Sequence, residues 1–252
     1  MISEEVETPE VEVAPFGIFS PAVTVKNVEM FSGTLLQQQG TIVSSKVADW
    51  DVIDDFDSAV SVYTSNVSDI YTEGYSFHVY LKADYSTLNL AFESELEKAF
   101  NQVEQAALQQ AIETQIWSIL EDSSDKQEAN TAGVKVRYGF AQVEGLFGNK
   151  SFGEKGLIHA PRSIASAYRG KAQDGVLYSS IGTPIIAGTG YPTDAGKVYM
   201  TGPITIYITD YISSFEVDRS ANTVQAFRDY PIVVSIMDKP FVAQIDLSMD
   251  YS

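Results

Sequence analysis

Residues 89–121 read NLAFESELEKAFNQVEQAALQQAIETQIWSILE. The stretch has no Gly or Pro and is dense in Ala, Leu, Glu and Gln, which lose little entropy in a helix. Phe92, Leu96, Ala99, Phe100, Val103 and Ala107 recur at spacings of three and four, one helical stripe. Leu108, Ile112, Ile116, Ile119 and Leu120 do not continue it. At about 100° per residue they centre roughly 130–180° away. Glu93, Glu95 and Glu97 sit where a helix N-terminus favours negative charge. The spacing predicts one helix of about thirty residues, roughly 45 Å long, packed by one body at its start and another at its end.

The rest of the composition sets limits. At 252 residues, 44% hydrophobic and 20% charged, the chain can bury a large core. No run of eighteen apolar residues occurs, so no membrane-spanning helix is expected. The opening MISEEVETPEVEVAP carries five glutamates and no base, the reverse of a secretory signal. Cysteine is absent, which excludes disulfides and thiolate chemistry and agrees with synthesis in the cytosol. Net charge is −18, from 34 acids against 16 bases, so a large basic surface for gripping nucleic acid is excluded.

Before the helix, Ala22–Val25 and Thr41–Val43 are β-rich, with turn residues Ser32–Gly33 and Gly40 between them: a two-stranded arm. Trp50–Phe56 is expected to be a short connection. Val60–Tyr63 and Tyr75–Tyr80 alternate as strands. After it, the polar Ser123–Gly133 marks a boundary. A second helix is expected over Val134–Phe147, weakened by Gly139 and Gly145. Gly156–Ala160 reads as a buried strand, with Pro161 opening the short helix PRSIASAYR. Val176–Tyr178 and Thr183–Ala187 are short strands. From Lys197 the chain is β: Val198–Thr201, Ile204–Thr209, Ile212–Val217, Thr223–Asp229, Ile232–Met237 and Phe241–Leu247, with a hairpin turn at Asp218–Asn222.

The residues offer no catalytic constellation. His78 and His159 lie in apolar strands without carboxylate or cysteine at ligand spacing, so each reads as a satisfied core or interface histidine. Gly190–Lys197 has five residues between its glycines where a P-loop has four, and Val198 follows the lysine, so no phosphate loop is assigned. No G-x-S-x-G elbow occurs. Nothing singles out a glycosidase pair among the acids. No metal, cofactor or catalytic residue is assigned.

The second half resembles the tailed-bacteriophage major capsid protein family, with its Hong Kong 97-like fold. The resemblance rests on four stretches in order: GLIHAPRSIASAY (156–168), GTPIIAGTGYP (182–192), AGKVYMTGP (195–203) and ITDYISSFEVDRSANTVQAFRDYPIVVSIMDKPFVAQIDL (208–247). Upstream, an arm, an extended β loop and a long spine helix come in the family's order. The implied fold is α+β. The N-terminal arm and extended β loop take residues 1–50. A peripheral domain takes 51–129 and 206–238, with spine helix 89–121 and a β hairpin. An axial α/β domain takes 130–205 and 239–252.

The implied role is a non-enzymatic subunit that self-assembles into pentamers and hexamers of an icosahedral phage head around double-stranded DNA. The protein is then expected in the virion after assembly in the host bacterial cytoplasm. Portal, scaffolding and decoration proteins are candidate further partners, and packaged DNA is enclosed without specific binding. Expected inter-subunit contacts are Glu4, Glu5 and Glu7 of the tail, Gln37, Gln38 and Gln39 of the loop, and Asp218, Arg219 and Asn222 at the hairpin tip. A guanidinium at that tip, in so acidic a protein, suits a carboxylate on another subunit. Alternative readings are an encapsulin-like compartment shell, a tail-tube or other virion β protein lacking the spine helix, and an unrelated hydrolase using paired acids.

Overall fold

The computed structural model describes residues 13–28, 41–44, 50–53, 61–64, 69–84, 92–123, 126–150, 155–210, 212–218, 223–237 and 240–251. Five strands come first: β1 (Thr24–Val28), β2 (Thr41–Ser44), β3 (Trp50–Ile53), β4 (Ser61–Thr64) and β5 (Asp69–Asp84). The long helix follows as α1 (Phe92–Asp122). Next come β6 (Gln127–Glu128), α2 (Val136–Lys150), β7 (Leu157–Pro161), α3 (Arg162–Tyr168), β8 (Lys171–Gln173), β9 (Val176–Tyr178), β10 (Pro184–Gly188) and β11 (Lys197–Thr201). The chain ends with β12 (Ile204–Thr209), β13 (Ile212–Asp218), β14 (Thr223–Met237), β15 (Phe241–Gln244) and a 3-10 turn at Leu247–Tyr251.

Two large sheets result. The first has the order β1-β12-β14-β5-β4, with β13 also on β14. The second has the order β6-β15-β11-β7-β10-β9-β8. Along the second sheet, successive residues alternate between two cores, as a two-sided strand must. Leu157, Ile186, Tyr199 and Val242 face α1 and meet Leu108, Ile112, Ile116, Trp117 and Leu120. Their neighbours Ile158, Ile185, Val198, Met200 and Phe241 face the other way, onto Val136, Phe140, Val143 and Phe147 of α2 and Ile164 of α3. The α1 core also takes Ile204 and Ile206 of β12 and Ile232, Val234 and Ile236 of β14, so one helix is packed by both sheets.

Several expectations are corrected. Trp50–Ile53 is a strand, pairing antiparallel with β2, because Trp, Val and Ile in WDVI favour a pleated surface. The two strands expected to form one arm do not pair with each other: β1 runs parallel to β12 instead. Thr223–Asp229 and Ile232–Met237 are one strand, continuous through Pro231 and in register with β5 from Thr223↔Asp84 to Met237↔Ile70. The reason lies on the opposite edge of β14. There β13 ends its pairing at Asp229 and β12 begins at Ile232, so Pro231 lacks an N–H where one neighbour is missing. Ala107, assigned to the first stripe, is exposed, because the buried arc has already turned to Leu108. Pro161 closes β7 and caps α3 from outside, at φ −53° and ψ 147°. Gly139 serves α2 rather than merely weakening it: a Cβ there would lie 2.1 Å from Ile245 Cδ1, so its absence lets the helix sit against the chain leaving β15.

Phe140 is fully buried and its ring stacks on Tyr168 at 4.1 Å. Phe140→Ala is expected to cost about 3–5 kcal/mol in chemical denaturation, whereas Tyr138→Ala, two residues away and exposed, changes stability by about 0.5 kcal/mol or less.

Candidate functional site

The long helix is fixed by one acid. Glu113 is fully buried, in the same arc of α1 as Ile112 and Ile116. Its Oε1 accepts hydrogen bonds from the Ile18 N–H at 2.9 Å and from Gln109 Nε2 at 2.8 Å. Its Oε2 accepts from the Thr189 N–H at 2.5 Å, the Thr189 hydroxyl at 2.9 Å and the Gly190 N–H at 2.9 Å. No described base pairs with it, so hydrogen bonds carry the whole task of replacing water. Three of the donors are backbone N–H groups from two loops, one before β1 and one between β10 and β11.

Close approach makes this junction possible. A Cβ on Gly17 would lie 1.6 Å from Gln109 Nε2 and 2.5 Å from Glu113 Oε1. A Cβ on Gly190 would lie 2.2 Å from the Gln110 carbonyl oxygen and 2.7 Å from the Thr114 nitrogen, both helix backbone. Gly190 therefore docks its main chain on α1, and Thr114 Oγ1 reaches its carbonyl at 3.2 Å. The Gly190–Lys197 loop already holds an anion of its own chain. Gln109 also reaches the Ala14 carbonyl at 3.3 Å, and Arg162 Nη1 reaches that of Pro15 at 3.4 Å.

A second buried polar group lies beside it. His159 is fully buried, with Nδ1 2.8 Å from Tyr191 Oη and Nε2 3.1 Å from Thr201 Oγ1. The Thr201 hydroxyl donates to the Gly202 carbonyl at 2.9 Å, so Nε2–H donates to Thr201 and Nδ1 accepts from Tyr191. Burial pulls the imidazole down to about 3. Burial, and then the charge of Glu113, push the Tyr191 phenol up, which keeps it a donor. His159 is a satisfied core histidine. Among the described residues no group of three or more His, Asp or Glu could hold a metal ion, and no helix is long and apolar enough to cross a membrane.

The contact residues expected from sequence fall mostly elsewhere. Glu4, Glu5, Glu7, Gln37, Gln38, Gln39, Arg219 and Asn222 lie outside the described residues. Asp218 ends β13 in register with Thr223 of β14. Glu113 was missed by the sequence reading; the available signal is a Gln and a Glu, four apart, inside an apolar arc.

No family model matches the sequence, and no curated protein matches it. Solved structures do match along the whole chain, and they define the fold as the α+β fold of phage capsid chains. A chain from the capsid of an empty GTA particle is 13% identical with a TM-score of 0.51, over 97% of this chain and 95% of that one. A chain from Gordonia phage Cozz is 12% identical with a TM-score of 0.54, over 98% and 92%. A chain from Microbacterium phage Oxtober96 is 8% identical with a TM-score of 0.54, over 98% and 96%.

Glu113→Gln retains one acceptor oxygen but turns an amide NH2 toward N–H donors. It is expected to cost about 2 kcal/mol in denaturant unfolding, and Glu113→Ala, which leaves every donor unmet, about 3 kcal/mol or more. The unfolded chain protonates His159 near 6.5 and the folded chain only near 3. Stability therefore falls as pH drops through that window, by up to about 1.4 kcal/mol per pH unit from this residue. His159→Gln is expected to lose that slope in a comparison of pH-dependent unfolding with the wild type.

Proposed function

We propose that this chain is a major capsid protein. It acts as a structural subunit without catalysis and self-assembles into pentamers and hexamers of an icosahedral head around double-stranded DNA. The observation that carries this reading is full-length likeness: the GTA capsid chain is covered to 95% of its length, with both sheets and the helix included. The tail-tube alternative required a chain without a spine helix, and α1 runs from Phe92 to Asp122. A net charge of −18 suits a wall that encloses DNA without gripping it.

In this reading α1, β4, β5, β13, β14 and most of β12 belong to a peripheral domain (51–129 and 206–238), whose sheet β1 of the arm completes. The strands β7 to β11 and β15, with α2 and α3, belong to an axial domain (130–205 and 239–252), and residues 1–50 supply the arm and extended loop. Assembly takes place in the host bacterial cytoplasm, and portal, scaffolding and decoration proteins join the shell. Glu4, Glu5, Glu7, Gln37, Gln38, Gln39, Asp218, Arg219 and Asn222 are the proposed contacts between copies.

Electron microscopy of the purified full chain is expected to show closed shells, and monomers at every concentration would sink the proposal. Mass spectrometry of the particles is expected to find a portal and DNA; one abundant enclosed enzyme would indicate a compartment instead. Arg219→Glu is expected to lower shell yield several-fold without altering the unfolding midpoint, since a tip cation loses its carboxylate partner.

A further inference from the structure

Buried polar atoms without a partner are not scattered over this fold. Among the described residues there are five such side-chain atoms: Ser20 Oγ, Gln109 Oε1, Trp117 Nε1, Ser123 Oγ and Tyr199 Oη. Gln109 and Trp117 are on α1, and Ser123 follows its last turn. Tyr199 packs against the helix, as do Ile18 and Val23 on either side of Ser20. None of the five lies on the α2 face of the second sheet, where buried Glu144 accepts from the Ser179 hydroxyl.

Gln109, Glu113 and Trp117 are four apart, so they form one line along α1, and all three are buried. Glu113, in the middle, has its oxygens filled by the two loops. Its neighbours are filled only in part. Gln109 uses Nε2 on Glu113 and the Ala14 carbonyl, and its Oε1 is open. Ser20 is close on this flank: a Cβ on Gly17 would fall 2.7 Å from Gln109 Cδ, and the Ser20 N–H donates to the Gly17 carbonyl at 2.9 Å. On the other flank the Trp117 ring has Tyr191 and Tyr199 each at 5.0 Å. Tyr191 is bonded to His159, whereas Tyr199, edge-on to Trp117 at 88°, has no partner for its hydroxyl. Burial, and then the charges of Glu121 and Asp122, push the Tyr199 phenol up, so it keeps its proton and needs an acceptor.

We propose that the seam between α1 and the second sheet binds ordered water on both sides of Glu113, one molecule held by Gln109 Oε1 and Ser20 Oγ and another by Trp117 Nε1 and Tyr199 Oη. An indole N–H can only donate and an amide oxygen can only accept, while a hydroxyl does both. A small neutral molecule that donates and accepts therefore suits both pairs. An anion would meet the carboxylates of Glu113, Glu121 and Asp122. A cation would face the indole N–H at one pair and the donors crowding Glu113 Oε1 at the other. Each atom left unmet weakens a fold roughly tenfold in its folding equilibrium, which is why buried polar sites hold water. Water on either side also tempers the charge of Glu113, which has no base among the described residues, because orientable dipoles lessen the cost of a buried charge. The inference concerns the single subunit and is independent of shell formation.

Each pair contains a hydroxyl that can be deleted with little change of shape, by Tyr199→Phe and by Ser20→Ala. The full-length variants are compared with the wild type in urea unfolding. An oxygen bonded to water is lost at a cost, so each deletion is expected to lower the folding equilibrium constant about fivefold. An oxygen that is truly unmet burdens the fold, and its removal would raise the constant; a rise or no change at either site overturns the water there. Tyr191→Phe, which deletes a hydroxyl bonded to His159, calibrates the size of a real loss. The wild-type midpoint is expected to be equal in sodium, potassium and choline chloride, and a midpoint raised by one metal cation alone would overturn water in favour of an ion. A high-resolution density map of the wild-type chain keeps the test open should a variant not fold. It is expected to show one peak about 2.7–3.2 Å from both atoms of each pair. Direct contact of Trp117 Nε1 with Tyr199 Oη, or of Gln109 Oε1 with Ser20 Oγ, would overturn the proposal at that pair.

Discussion

A buried negative charge holds three remote parts of the chain in one place. Glu113 collects donors from Ile18, Gln109, Thr189 and Gly190, and each of the two loops it gathers belongs to a different stage of the chain. An ionised carboxylate in an apolar core is costly unless its lone pairs are filled, and here the main chain fills most of them. The requirement is stringent in both directions. The acid needs the loops to be present, and the loops' N–H groups, removed from water, need the acid. The helix, the root of the N-terminal segment and the β10–β11 loop are therefore set together or not at all.

This junction decides the layout around it. With Gly190 seated on the backbone of α1, β10 and β11 are held to the helix side of their sheet, where Tyr191 and Tyr199 close on Trp117 at 5.0 Å each. The opposite face is left for α2 and α3, and the alternation of side chains along β7, β10, β11 and β15 serves both. On the first sheet, Tyr230 of β14 donates to Glu104, one further buried acid of the same helix. The two sheets thus share a single helix through polar as well as apolar contacts.

Much of this was legible from sequence because it is periodic. The expected helix 89–121 and the observed Phe92–Asp122 differ by three residues at one end and one at the other, and the strands after Lys197 stand nearly where alternation put them. What escaped was non-local or against type. β1 pairs with β12 across about 180 positions of chain, which no local pattern encodes. A proline normally ends a ladder, and only the exchange of neighbours along β14 lets the strand run on through Pro231. Glu113 escapes because a glutamate in a helix ordinarily faces water, and its backbone partners lie 76 to 95 residues away.

The pairing of β11 with β15 has an outcome of its own. The two strands lie side by side, yet the chain between them goes out to build β12, β13 and β14 before coming back. That excursion starts and finishes about 4.8 Å apart, one strand spacing. A detour closed at its neck can grow or shrink at its far end with little strain at the base, since closure entropy rises only slowly with loop length. Lineages could thus lengthen or shorten the outer sheet while the inner one kept its register, a route to variety in subunit reach from an unaltered foundation.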